Sequence, residues 1–165
     1  MKKALLVVSA HDREAMVASL FHAGYEERDI VVVCKEEAVD PPEGEGDCSP
    51  PSDVLAQLRE LVSRNAVFDA AVVQIYHGRD PFAGGTLREE IVGCDAIRII
   101  ERSFDCPILA ITDSRIVGDV DAAQKAGAHW FQSTNWATEG IHPMHFLAGQ
   151  IDHARAEYLR RRAAA

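Results

Sequence analysis

Short apolar runs alternate along the chain with stretches whose apolar residues fall at helical spacing. Ala4 to Val8 is an apolar run ending in two valines, the mark of a buried strand. Residues 12 to 23 then place Ala15, Met16, Ser19, Leu20 and Ala23 on a helical repeat, and Gly24 supplies a stop. Ile30 to Cys34 is a second strand. Ser52 or Asp53 can cap a helix striped by Val54, Leu55, Leu58, Leu61 and Val62. A third strand runs from Phe68 to Tyr76, residues 77 to 85 form a loop, and 86 to 103 form a helix. Pro107 to Ile111 is the fourth strand, ended by Thr112. A short helix over 119 to 126 stops at Gly127, and Trp130 to Gln132 is the fifth strand. After a loop holding Trp136, Pro143 opens a last helix that reaches about Arg162.

Each strand is apolar on both faces, which belongs to parallel sheets covered above and below by helices. The pattern predicts an α/β fold: a three-layer α/β/α sandwich on a five-stranded parallel sheet, doubly wound in the flavodoxin-like manner. No repeat or boundary divides it, so residues 1–165 are expected to form one domain. One stretch breaks the pattern. Residues 35 to 53 hold four prolines, two glycines and seven acids against one lysine, and are expected to be a solvated loop insertion.

Composition narrows the function. The 165-residue chain carries 17 Lys and Arg against 26 Asp and Glu, a formal charge of -9. That balance argues against nucleic acid or a membrane surface as partner. The apolar start is too short for a secretory signal, so a cytoplasmic location is expected. Cys34, Cys48, Cys94 and Cys106 are widely spaced and form no Cys-x-x-Cys pair; they are expected to be reduced and mainly structural.

Ligands of such sheets bind beyond the carboxyl ends of the strands. The residues there are Ser9, Ala10, His11 and Asp12; Gln74, Tyr76, His77 and Asp80; Thr112, Asp113 and Ser114; and Ser133, Thr134 and Asn135. The set is polar, but lacks a lysine, a dense carboxylate cluster and a glycine-rich phosphate loop.

Several strings resemble the receiver domain of two-component response regulators. CPILAITDS, a short helix and AGAHWFQ are similar to its second half; ALLVV, AGYE and FDAAVVQ are similar to its first. The resemblance covers most of the chain and implies a signalling role. It also implies that the phosphorylation site is degenerate, as in a pseudoreceiver. Ser9 and Ala10 stand where a receiver has the acidic pair that holds magnesium, and a shifted placement would give Val7 and Val8. Gln74 stands at the phosphoacceptor aspartate, Thr134 at the lysine and Asn135 at the proline. Only the hydroxyl at Thr112 and the switch aromatic, Phe131, match. A glutamine amide forms no acyl phosphate, so neither phosphotransfer nor enzymatic activity is expected, and no cofactor.

Two other readings use the strand ends. Cobalamin-binding domains carry Asp-x-His-x-x-Gly after the first strand; Ser9-Ala10-His11-Asp12-Arg13-Glu14 matches only at His11. A small-ligand or metal pocket would draw on His11, Asp12, His77, Asp80 and Asp113. The favoured reading is binding to a protein partner, with self-association as a homodimer. Trp130, Phe131 and Trp136 cluster near the fifth strand, and Phe146 and Leu159 lie at the edges of the last helix's stripe of Met144, Leu147, Ile151, Ala154 and Tyr158. Arg160, Arg161 and Arg162 are expected to be a solvated end that favours the helix dipole.

Overall fold

The computed structural model describes residues 2–9, 12–34, 54–75, 92–112, 118–133 and 143–164. The strands are β1 (Ala4–Val8), β2 (Ile30–Cys34), β3 (Ala70–Gln74), β4 (Ile108–Thr112) and β5 (Trp130–Ser133). The helices are α1 (Arg13–His22), α2 (Val54–Ser63), α3 (Val92–Ser103), α4 (Gly118–Ala126) and α5 (Pro143–Ala164), with a 3-10 turn at Glu27–Asp29. All neighbouring strands pair parallel in the order β2-β1-β3-β4-β5. This is the five-stranded, doubly wound parallel sheet that the apolar runs predict.

Strand alternation divides the core into two halves. Leu5, Val7, Val33, Ala71, Val73, Ile108 and Ala110 face one side, where Val54 and Leu58 of α2, Ala96, Ile97 and Ile100 of α3 and Ala123 of α4 cover them. Leu6, Val8, Val72, Leu109 and Ile111 face the other, against Met16 and Leu20 of α1 and Leu147, Ile151 and Ala154 of α5. Burial of each of the valine, leucine, isoleucine and methionine side chains among them stabilises the fold by roughly 2 kcal/mol, which holds the three layers together.

Two helices stop at glycines in the left-handed region. Gly24 (φ 87°) follows α1, and the Tyr25 amide reaches back to Leu20 O at 3.1 Å. Gly127 (φ 115°) follows α4 in the same way, with Ala128 bonded to Ala123 O at 3.0 Å.

Several boundaries differ from the sequence expectation. β3 begins at Ala70 rather than Phe68, because Phe68 turns to pack edge-on against Phe104 and Asp69 caps the Lys3 amide. It ends at Gln74, although the Ile75 amide still bonds Ile111 O at 2.9 Å. α3 is described only from Val92, so the expected helical turns at 86 to 91 lie outside the described residues. So do the segment 35 to 53, with Cys48, and the loop with Trp136. Cys94 and Cys106 are buried free thiols, as their apolar neighbours suggest, and burial pushes Cys106 up to about 12.

Arg160 to Arg162 are not simply a solvated end. Arg160 and Arg161 both bind Glu157, and Arg162 reaches across the fold to Asp105 at 2.7 Å. Tyr158 of α5 donates to the same Asp105 carboxylate. The reason is position: the last turn of α5 ends beside the loop that enters β4.

Candidate strand-end site

The strand order reverses between β1 and β3, so their carboxyl ends flank the crevice where ligands bind in this architecture. Ser9 follows β1 and Gln74 ends β3. Gln74 is 7% exposed, so a buried amide there must find partners for both its ends. It does. The Ser9 amide donates to Gln74 Oε1 at 2.8 Å, and Gln74 Nε2 donates to Asp12 Oδ2 at 2.7 Å. The amide orientation follows from chemistry, because a backbone N–H only donates and a carboxylate only accepts.

Asp12 is held a second time. Ser9 Oγ donates to Asp12 Oδ2 at 2.9 Å, and the Asp12 amide donates back to Ser9 Oγ at 3.3 Å. Asp12 occupies the cap position of α1, yet its side chain makes no capping bond. Its carboxylate is turned to the strand ends instead. The result is a closed network of Ser9, Asp12 and Gln74 that ties the β1–α1 turn to β3.

The described residue that follows β1 is Ser9, which carries no carboxylate. The carboxylate comes from Asp12, three residues later. Asp12 is one of the pocket residues the sequence offers, and the Ser9-x-x-Asp12 spacing, Ser side chain to Asp amide across one turn, is the signal for its tie to Ser9. The described network therefore holds one carboxylate, one amide and one hydroxyl. The donor of Gln74 satisfies the Asp12 carboxylate.

The other site residues divide as follows. Thr112 is fully buried at the end of β4. Because Gln74 pairs with Ile111, alternation puts Thr112 on the opposite pleat from Gln74. Phe131 is half-buried and packs on the α2–α3–α4 side. Ala10, His11, His77, Asp80, Asp113 and Thr134 lie outside the described residues. Among the described residues no three His, Cys, Asp or Glu side chains come together as a metal site.

The crevice has a close-packed wall on its other side. A Cβ on Gly93, in the first turn of α3, would stand 2.4 Å from Ile75 Cα and 2.5 Å from Gln74 O. Only glycine lets that helix lie against the end of β3.

Of the aromatic residues near β5, Trp130 and Phe131 do not share a face, and Trp136 lies outside the described residues. Trp130 and Phe131 are consecutive in a strand, so they point to opposite faces. Trp130 lies on the α5 side, its Nε1 donating to Gln150 Oε1 at 2.8 Å and its ring stacked 4.9 Å from His153. It remains 38% exposed, and Leu159 is 58% exposed. Phe146 lies within α5, but its side chain is outside the described residues.

At the opposite end of the sheet, His129 Nδ1 accepts the Ile108 amide at 3.1 Å and the ring meets Tyr158 edge-on. Burial, with the Arg161 charge, pushes this histidine down to about 4.

No family model matches the chain, and neither does any curated protein. Solved structures do match its fold. It is similar to a response regulator from Burkholderia pseudomallei bearing a phosphorylated aspartic acid, at 15% identity and TM-score 0.53, over 99% of this chain and 74% of that one. A response regulator from Thermotoga maritima matches at 15% identity and TM-score 0.52, over 94% and 99% of the two chains. The signal receiver domain of a modulated diguanylate cyclase from Desulfovibrio desulfuricans G20 matches at 14% identity and TM-score 0.53, over 98% and 99%. No helix among the described residues is long and apolar enough to cross a membrane. The chain has the fold of response-regulator receiver domains.

Proposed function

We propose that this chain is a phosphorylation-independent, receiver-like signalling or regulatory protein that works by binding protein, itself included, rather than by catalysis. The observation that carries the reading is the Gln74 amide, bonded at both ends in the place of a phosphoacceptor carboxylate. An amide nitrogen is not a nucleophile toward phosphoryl donors, and its network fills the position that a cation would need. The domain is therefore held in one state by internal hydrogen bonds rather than switched by an added charge. Its contacts would be made in the cytoplasm, without cofactor.

The surface offered for self-association is the edge of β5 with the outer face of α5. β5 ends the sheet, Trp130 is only partly covered there, and Ala156, Leu159 and Ala163 fall on one exposed helical stripe. A two-fold pairing would cover this surface on both copies with one patch. Light scattering of the full chain, with and without acetyl phosphate and magnesium, tests the reading. A mass near twice 18.1 kDa in both conditions supports it. A monomer that pairs only after phosphoryl donor is added overturns it.

A further inference from the structure

Between the C-terminal halves of α2 and α3 lies a groove of about 270 Å³, lined by Arg59, Val62, Arg98, Ile99, Arg102 and Ser103. Arg59 and Val62 are three residues apart on α2, and Arg98 and Arg102 are four apart on α3. Each set therefore forms one ridge facing the valley between the helices. Val62 and Ile99 are half-buried and rest on the core, so the floor is apolar. Three guanidinium groups surround it.

Three converging cations are unexpected on a chain of charge -9. The nearby carboxylates do not neutralise them all. Glu60 pairs with Arg64, and the stem of Glu101 lies over Gly127. Asp95 takes Arg98 at 2.5 Å. Arg59 and Arg102 are exposed and make no ion pair with a described residue. The groove thus presents, beside an apolar strip, two planar cations with no ion pair among the described residues.

We propose that this groove docks an acidic segment of a partner protein. An aliphatic side chain of that segment would seat on Val62 and Ile99, while its carboxylates pair with Arg59 and Arg102. Charge complementarity selects the occupant: guanidinium matches carboxylate in a fork-to-fork geometry, and an apolar floor adds a side-chain anchor. Nucleic acid fits less well, because a phosphate backbone carries no aliphatic side chain to seat on the Val62 and Ile99 floor. The inference rests on reading the chain as a contact protein, but uses residues apart from both the strand-end network and the β5–α5 edge.

The test is fluorescence anisotropy of a short labelled peptide of alternating Asp and Glu around a central Leu, titrated with the full chain at low salt. Saturable binding is expected, weakened about tenfold or more in the Arg59→Glu, Arg102→Glu double variant. Circular dichroism checks that the variant is folded. Binding should also fall with added salt and be lost for the matching Asn and Gln peptide. Equal binding by the variant, equal binding of the amide peptide, or no saturation at millimolar protein overturns the proposal. The chain's own seven acids in residues 35 to 53 are the rival occupant. If peptide binds only after that segment is deleted, the groove is filled in cis and the partner claim is wrong. Light scattering read in parallel separates failure here from failure of the self-association reading.

Discussion

Gln74 Nε2 donates to Asp12 Oδ2 at 2.7 Å, a bond between residues 62 positions apart that closes the β1–β3 switch point from within. Together with the Ser9 amide on Gln74 Oε1, it makes the glutamine a two-faced neutral link. A carboxylate at position 74 could accept from Ser9 but would present a second anion to Asp12.

Gln74→Glu exposes that difference. The variant keeps the acceptor for Ser9 and replaces the donor by an oxygen facing Asp12, so the pair should hold a proton more tightly when folded than when unfolded. The folded state then binds more protons, and stability rises as pH falls from 7 toward 5. Urea unfolding should show a loss of about 1–3 kcal/mol at pH 7 that shrinks at pH 5. A loss that is the same at both pH values contradicts the network.

Gly93→Ala should be strongly destabilising, although alanine favours helices. The added methyl meets backbone atoms of Gln74 and Ile75, which cannot rotate away. A cost of about 2 kcal/mol or more is expected from thermal unfolding. Gly149→Ala is the control, since a Cβ there meets nothing within 4 Å and only the helix gain of up to about 1 kcal/mol should appear.

His129 gives the wild-type protein an acid limb. Its folded value near 4 lies below the ordinary 6.5, so the unfolded chain takes the proton first. This contribution is full above about pH 6.5, is lost as pH falls toward 4, and is then constant. Partial solvent contact keeps it to roughly 1–2 kcal/mol. His129→Asn retains an acceptor for the Ile108 amide and removes the titration, so its stability should change less between pH 7 and 5 than wild type.

Leu159→Glu places a charge on the exposed stripe of α5 without touching the core. Light scattering at micromolar concentration should show a lower mass than wild type while Tm stays within a few degrees. A dimer unaffected by this change would place the interface elsewhere.

The apolar runs were enough to read the sheet, because strands covered on both faces leave no polar alternation to confuse them. Gln74 was legible as the polar residue inside the apolar run, although the expected strand ran on to Tyr76 and only the structure ends β3 at Gln74. The role of Asp12 was not. Its position at a helix start suggests a cap, and only the approach of β3 shows that its carboxylate turns to Gln74 instead. Trp130 and Phe131 looked like one aromatic cluster; the two-residue period of β5 sends them to different layers. The Arg59 and Arg102 groove was invisible because its two ridges are some forty residues apart in sequence. The need for glycine at position 93 is set by the close approach of Ile75 and Gln74 backbone, which no sequence pattern carries.

The central claim is that the strand-end site takes no phosphate. Intact-mass spectrometry of the full chain after incubation with acetyl phosphate and magnesium tests it most directly. The account predicts no mass increase for wild type, and none for Gln74→Asp alone, since the second carboxylate of an acidic pair is not supplied by Ser9. A stable, acid-labile gain of one phosphoryl group on the wild-type chain would contradict it.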